Sequence, residues 1–177
     1  TLVLKPSEVA PLSGLLVAEF VDEAGFPPGV FNMVNGDGAG VGSQLSAHPD
    51  VDMVSFTGST RAGIAISKAA ADTLKRVSLE LGGKGANIIF PDAHPKAAKA
   101  GAIRCFRNSG QSCNAPTRML VHKSRYDEAV EMAAGVANDT HVGPASEEGK
   151  HIGPVVSEVQ FNKIQGLIEK GMMSPMR

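Results

Sequence analysis

Two side chains in this sequence are suited to covalent chemistry: Cys113, in Asn108-Ser109-Gly110-Gln111-Ser112-Cys113-Asn114, and Glu80, in Leu79-Glu80-Leu81-Gly82-Gly83. The first offers a thiol nucleophile and the second a carboxylate able to act as its base. A cysteine flanked by Gly, Ser, Gln and Asn suits a turn with its sulfur exposed, near backbone N–H groups that favour the thiolate. Glu80 lies between two leucines at the end of the strand-like run Lys75-Arg76-Val77-Ser78-Leu79, where partial burial would tune it for general-base work near neutral pH. The glycines that follow leave room for a ligand.

The other cysteine, Cys105, sits in Ala102-Ile103-Arg104-Cys105-Phe106 and reads as a small buried hydrophobe. On one continuous helix the offset 113 − 105 = 8 would hold the two sulfurs' residues ~12 Å apart, too far for a disulfide. The five histidines, His48, His94, His122, His141 and His151, show no metal-ligand spacing, and no metal site is expected.

The elements that must position these residues alternate between short apolar runs and amphipathic stretches, the pattern of an α/β layer architecture with a mainly parallel sheet. Strands are expected over residues 1–5, 30–34, 51–56 and 75–79. Helices are expected over 7–24, with Ser7 as N-cap and Gly25, Pro27 and Pro28 as the stop, over 38–47, and over 58–71. After Gly83 the pattern changes, and a domain boundary is placed there, giving units 1–82 and 83–177. The second unit is expected to hold strands at 86–90 and 117–122 and helices at 95–106, 125–137 and 157–170. Residues 136–153, rich in Gly, His, Ser and charge, read as an exposed loop.

Repeated strand-to-helix units bind nucleotides at the carboxyl ends of their strands, where helix N-termini present unpaired N–H groups to phosphate. Gly58 and Ser59 occupy such a corner, although the spacing to Gly63 is G-x-x-x-x-G, unlike the usual dinucleotide fingerprint and without the Lys-Ser/Thr ending of a triphosphate loop. Arg61 adds charge there or is solvated. Lys5 and Glu8 follow the first strand in a Pro-containing turn, where an ammonium and a carboxylate can grip ribose hydroxyls; from the residues alone a solvated helix start is the favoured reading, since the helix dipole favours an early glutamate whatever it binds.

Four blocks, in order, make the chain resemble an NAD(P)-dependent aldehyde dehydrogenase: Lys5-Pro6-Ser7-Glu8, Phe56-Thr57-Gly58-Ser59-Thr60-Arg61-Ala62-Gly63, Leu79-Glu80-Leu81-Gly82-Gly83 and Gly110-Gln111-Ser112-Cys113. The resemblance runs from Thr1 to about Gly171. It implies a Rossmann-like parallel-sheet cofactor domain, in part, followed by the opening of an α/β catalytic domain. It also implies Cys113 as nucleophile and Glu80 as base. Cofactor contacts would come from Lys5, Pro6, Ser7, Glu8, Gly38, Gly42, Phe56, Thr57, Gly58, Ser59, Thr60, Leu81 and Gly82. NAD is the expected cofactor, with NADP the alternative, because a carboxylate such as Glu8 accepts from a ribose 2′-hydroxyl and repels a 2′-phosphate. The implied reaction turns an aldehyde into a carboxylic acid through a thiohemiacetal and a thioester. Acyl transfer to coenzyme A by a semialdehyde dehydrogenase, or a non-catalytic nucleotide-binding role, are the alternatives; Glu80 counts against the first, and Cys113 and Glu80 together against the second.

Composition adds limits. With 42% hydrophobic and 20% charged residues and a formal net charge of −1, the chain has no electrostatic bias toward nucleic acid or membrane. Only 5% of residues are aromatic, and no basic, aromatic-rich cluster suggests RNA or DNA. No run reaches the ~18 apolar residues of a spanning helix, and a cytoplasmic location is expected. The chain opens inside a strand-like run without methionine, so the true N-terminus is expected upstream. In the family an oxyanion asparagine, a second ribose anchor and an oligomerisation strand lie outside these residues. The parent is expected to form a homodimer or homotetramer, and the isolated fragment to be inactive.

Overall fold

The structure is a computed structural model that describes residues 1–174. Two compact units follow one another, Thr1–Gly82 and a second that begins at Gly83.

In the first unit, β1 (Leu2–Leu4) and β2 (Phe31–Met33) pair in parallel, Leu2 opposite Phe31. Parallel neighbours need a crossover, and α1 (Leu12–Glu23) supplies it. The helix begins well after Ser7, the expected N-cap. Pro11 lacks an N–H and its ring disfavours helical backbone at Ala10, so the first helical turn cannot extend upstream. Ser7 instead closes a turn: its hydroxyl accepts from the Val9 N–H at 3.4 Å and its carbonyl from the Ala10 N–H at 3.1 Å. Gly14 is buried in α1, and a Cβ there would stand 3.3 Å from Pro6. Its missing side chain lets the helix sit low over the strand pair. Gly25, at φ 75°, ends the helix by donating to the Asp22 carbonyl at 2.9 Å.

A π-helical turn, Gly38–Gly42, runs into the short α2 (Ser43–Ala47), with Asp37 as its cap accepting from Gly40 N–H at 2.7 Å. Strands β3 (Met53–Thr57) and β4 (Arg76–Glu80) then pair in parallel across α3 (Thr60–Ala71). Burial alternates with the two-residue period of a strand: Val54, Phe56, Val77 and Leu79 are half-buried, while their neighbours in β3 and β4 are exposed. Gly63 and Ala70 are the buried positions of α3. That helix starts at Thr60, because Ser59 keeps an extended backbone and caps it, accepting from Ala62 N–H at 3.2 Å.

The second unit repeats the plan. Strands β5 (Ala86–Ile89) and β6 (Arg118–Val121) pair in parallel across α4 (Ala97–Phe106). Helix α5 (Tyr126–Asp139) packs on α4, with Ala98, Ala102, Ala129 and Val136 buried. Helix α6 (Glu158–Met173) is capped by Ser157, which accepts from Gln160 N–H at 3.3 Å. The stretch read as an exposed loop is partly ordered: α5 continues to Asp139, and Val142 forms a parallel bridge with Ile152. Its backbone groups find partners, with Gly143 N–H on the Ile152 carbonyl at 3.0 Å and Ile152 N–H on that of His141 at 2.9 Å.

The α/β class is therefore as expected, built among the described residues from three strand–helix–strand units. The described strands pair two by two, each pair parallel. Among the described residues, no helix is long and apolar enough to cross a membrane.

Candidate active site

The segment carrying Cys113 leaves α4 through an unusual corner. Asn108 (φ 52°, ψ 35°) and Ser109 (φ 55°, ψ 31°) are left-handed, and Gly110 follows at φ 72°. Glycine takes this conformation freely and asparagine tolerates it, but serine there costs about 1–2 kcal/mol. The corner is held by distant groups. Lys84 Nζ donates to the Gly110 carbonyl, and Arg118 donates to the Lys84 carbonyl at 3.1 Å. Beyond it, Ala115 N–H donates to the Ser112 carbonyl at 3.1 Å, closing a turn over residues 112–115 with Cys113 at its bend. Ala115, at 1% exposure, anchors the far end of the turn. Cys113 is exposed, whereas Cys105 is half-buried on α4. A reactive cysteine needs that accessibility.

Glu80 stands at the carboxyl end of β4, in the first unit. The partial burial expected for it is not what the structure shows: its side chain is exposed. The two-residue period of the strand decides this, since Val77 and Leu79 take the covered face and Arg76, Ser78 and Glu80 the open one. The Glu80 backbone is nonetheless fixed, its carbonyl accepting from Gly58 N–H at 2.9 Å.

That bond gathers one set of expected cofactor residues at the carboxyl ends of β3 and β4: Phe56, Thr57, Gly58, Ser59, Thr60, Leu81 and Gly82. The Phe56 ring occupies the space that a Cβ on Gly58 would need. The Leu81 side chain likewise fills the space over Gly63. A Cβ on Gly82 would stand 3.6 Å from Thr60 Oγ1. Gly58, Ser59 and Thr60 are exposed at the start of α3, whose first-turn N–H groups have no carbonyl within the helix to bind. Phosphate fits this corner, because the positive end of the helix dipole and free donors coincide there.

A second set lies after β1. Lys5 Nζ donates to the carbonyls of Pro6 at 2.6 Å and Gly36 at 2.8 Å, and pairs with Glu8 at 3.5 Å. The Lys5 stem passes 3.9 Å or less from where a Cβ on Gly42 would stand, so the two residues are neighbours. Ser7 is exposed in the same turn. The Glu8 carboxyl is held below the ordinary glutamate range, first by its own backbone N–H and then, against some desolvation, by the Lys5 ammonium. Gly38, the first residue of the π-helical turn, is exposed with open space around it.

Sequence reasoning missed Lys84, the residue whose ammonium holds the Cys113 corner through Gly110. It follows the expected motif directly, but a single lysine beside glycines carries no signal of its partner. The left-handed corner did have one, because Asn-Ser-Gly is a composition favoured in turns.

The chain is 55% identical over 173 residues to 3-succinoylsemialdehyde-pyridine dehydrogenase of Pseudomonas sp., covering 97% of the chain and 36% of the relative. It resembles a crystal structure of aldehyde dehydrogenase from Bartonella henselae with a TM-score of 0.94 and 64% identity, over 97% of the chain and 36% of that protein. A crystal structure of a mutant of aldehyde dehydrogenase C from Pseudomonas syringae, in complex with NAD+ and octanal, matches with a TM-score of 0.92 and 51% identity, over 97% and 36% of the two chains. The chain thus spans about a third of the length of the relatives it matches. The sequence model of the Aldehyde dehydrogenase family matches residues 1–176, and with the four sequence blocks and the fold it shows that the chain belongs to that family.

Proposed function

We propose that the full-length protein carrying these residues oxidises an aldehyde to a carboxylic acid with NAD, Cys113 serving as nucleophile and Glu80 as base. The observation that carries this reading is the exposed Cys113 thiol at the bend of a hydrogen-bonded turn whose far end is buried. The Pseudomonas syringae relative, a cysteine-to-alanine mutant holding both NAD+ and octanal, supports the pairing of cofactor and aldehyde. The Pseudomonas relative is named for a semialdehyde, a compound that carries the aldehyde carbonyl on which Cys113 would act.

NAD, when bound, supplies the hydride acceptor. The residues of this chain do the rest. Lys5 and Glu8 would hold the ribose hydroxyls, and Gly58, Ser59 and Thr60 at the head of α3 would hold the pyrophosphate. Phe56, Thr57, Leu81 and Gly82 line the adjoining strand ends. Pro6 and Ser7 shape the turn after β1, and Gly38 and Gly42 would border the adenosine side. The Cys113 sulfur adds to the aldehyde carbon, forming the C–S bond of a thiohemiacetal as the carbonyl oxygen takes the negative charge. The Cys113 backbone N–H would donate to that oxygen. Loss of the carbon-bound hydrogen as hydride leaves a thioester. Glu80 then removes a proton from water, whose oxygen attacks the thioester carbon; the C–S bond breaks and the carboxylic acid and the thiolate are freed.

The test is aldehyde-dependent NADH formation by the full-length protein, followed at 340 nm for wild type, Cys113→Ala and Glu80→Gln, with NAD and NADP in parallel. Turnover should vanish in the first variant and acyl-enzyme accumulate in the second, with NAD preferred. Full activity in both variants overturns the proposal. Acyl transfer to coenzyme A that outpaces hydrolysis would place the protein among the acylating enzymes.

A further inference from the structure

We infer that Gln111 and Ser109 are positioning residues that dock the Cys113 loop onto the backbone of residues 153–156, so that this distant segment sets the geometry of the thiol. The inference rests on the reading of Cys113 as nucleophile.

Gln111 uses both ends of its amide. Its Oε1 accepts from the Val156 N–H at 2.8 Å, and its Nε2 donates to the Asn108 carbonyl at 3.1 Å. The Asn108 carbonyl also receives the Gln111 backbone N–H at 3.0 Å. One residue therefore closes the left-handed corner on itself and joins it to a segment 45 positions away. Ser109 adds the second tie, its hydroxyl donating to the Gly153 carbonyl.

These ties answer a physical need. Two adjoining non-glycine residues in the left-handed region do not hold that conformation by themselves; the surroundings must over-determine it. Lys84 fixes the Gly110 carbonyl from one side, and residues 153–156 fix Ser109 and Gln111 from the other. Cys113 lies only two residues beyond Gln111, so releasing the clamp lets the turn at residues 112–115 shift against its buried Ala115 anchor. The order of residues 153–156 is supported upstream by the Val142–Ile152 bridge and downstream by the Ser157 cap of α6. A displacement of that segment would thus reach the thiol without any contact to it.

The experiment uses the full-length protein with Gln111→Ala, Gln111→Glu and Ser109→Ala. Three readings are taken: hydrogen exchange of the Val156 amide, the rate at which iodoacetamide alkylates Cys113 with Cys105 as internal reference, and kcat against KM for NAD. Gln111→Ala should accelerate Val156 exchange about tenfold, the effect of losing one hydrogen bond. It should also change the Cys113 to Cys105 alkylation ratio and lower kcat, with KM for NAD unchanged. Gln111→Glu keeps an acceptor for Val156 and should restore its protection. Ser109→Ala removes a single bond and reports the same docking if Gln111→Ala fails to fold. Unchanged Val156 exchange and alkylation ratio in Gln111→Ala, or in Ser109→Ala where the former does not fold, overturn the inference. The two claims separate cleanly: full turnover by Cys113→Ala defeats the nucleophile reading, while exchange and alkylation judge the docking without reference to turnover.

Discussion

The backbone N–H of Gly58 donates to the carbonyl of Glu80 at 2.9 Å, just beyond the pairing of Thr57 with Glu80 in the β3–β4 ladder. The corner suited to phosphate and the carboxylate proposed as base are therefore joined by one backbone bond. Leu81, the next residue, turns its side chain onto Gly63 of α3. Position along the strand and closeness to the helix are set together at this point.

Gly63→Ala should disturb both. The added methyl needs the space that Leu81 fills, and overpacking a tight contact costs about 1–3 kcal/mol. We expect a lower thermal midpoint and weaker NAD binding in the full-length protein. Paired Gly63→Ala and Leu81→Ala should recover much of the lost midpoint, which a double-mutant cycle would measure.

Leu74 offers the opposite case. It is 91% exposed and takes φ 55° in the link between α3 and β4. A leucine gains nothing there and bears the left-handed cost, so Leu74→Gly should stabilise the protein by about 0.5–1 kcal/mol after the added freedom of the unfolded chain is subtracted. Denaturant unfolding with an unchanged m-value would read this out.

Glu8 should titrate below an ordinary glutamate. Its own backbone N–H and the Lys5 ammonium both favour the charged form. A carboxyl lowered on folding contributes stability that is present in full above its unfolded value and is lost as pH falls through the lowered folded value. The contribution is small because Glu8 is exposed. NMR titration should show the depressed midpoint, and Lys5→Met should raise it only part of the way, since the backbone donor remains.

The chain of 177 residues should show little or no dehydrogenase activity by itself. It spans 36% of its relatives, and the family resemblance puts a second oxyanion donor outside it. Removal of one such donor typically lowers kcat by ~10²–10³. Turnover of aldehyde with NAD at rates usual for enzymes by the purified chain would refute this.

Much of the architecture was legible because it depends on local pattern. Short apolar runs and amphipathic stretches marked the strand–helix–strand units, and Gly25 with the prolines after it marked the end of α1. Ser59 capping α3, in place of a helix beginning at Gly58, is a difference of two residues that only backbone angles reveal. Ser7 misled because Pro11 overrode a favourable cap. Glu80 misled for another reason: its leucine neighbours suggested burial, but adjacent residues in a strand face opposite sides.

By itself the sequence determined which side chains could do chemistry, their order, and the periodicity that marks the strand–helix–strand units. These properties come from residue type and near neighbours. The left-handed corner at Asn108, Ser109 and Gly110, and the ties that hold it, were decided by tertiary structure alone. Lys84, Gly153 and Val156 reach that loop from 26, 44 and 45 residues away, and no local preference specifies such partners. Their hydrogen bonds form only after the strands and helices have packed, when distant backbone groups come within reach.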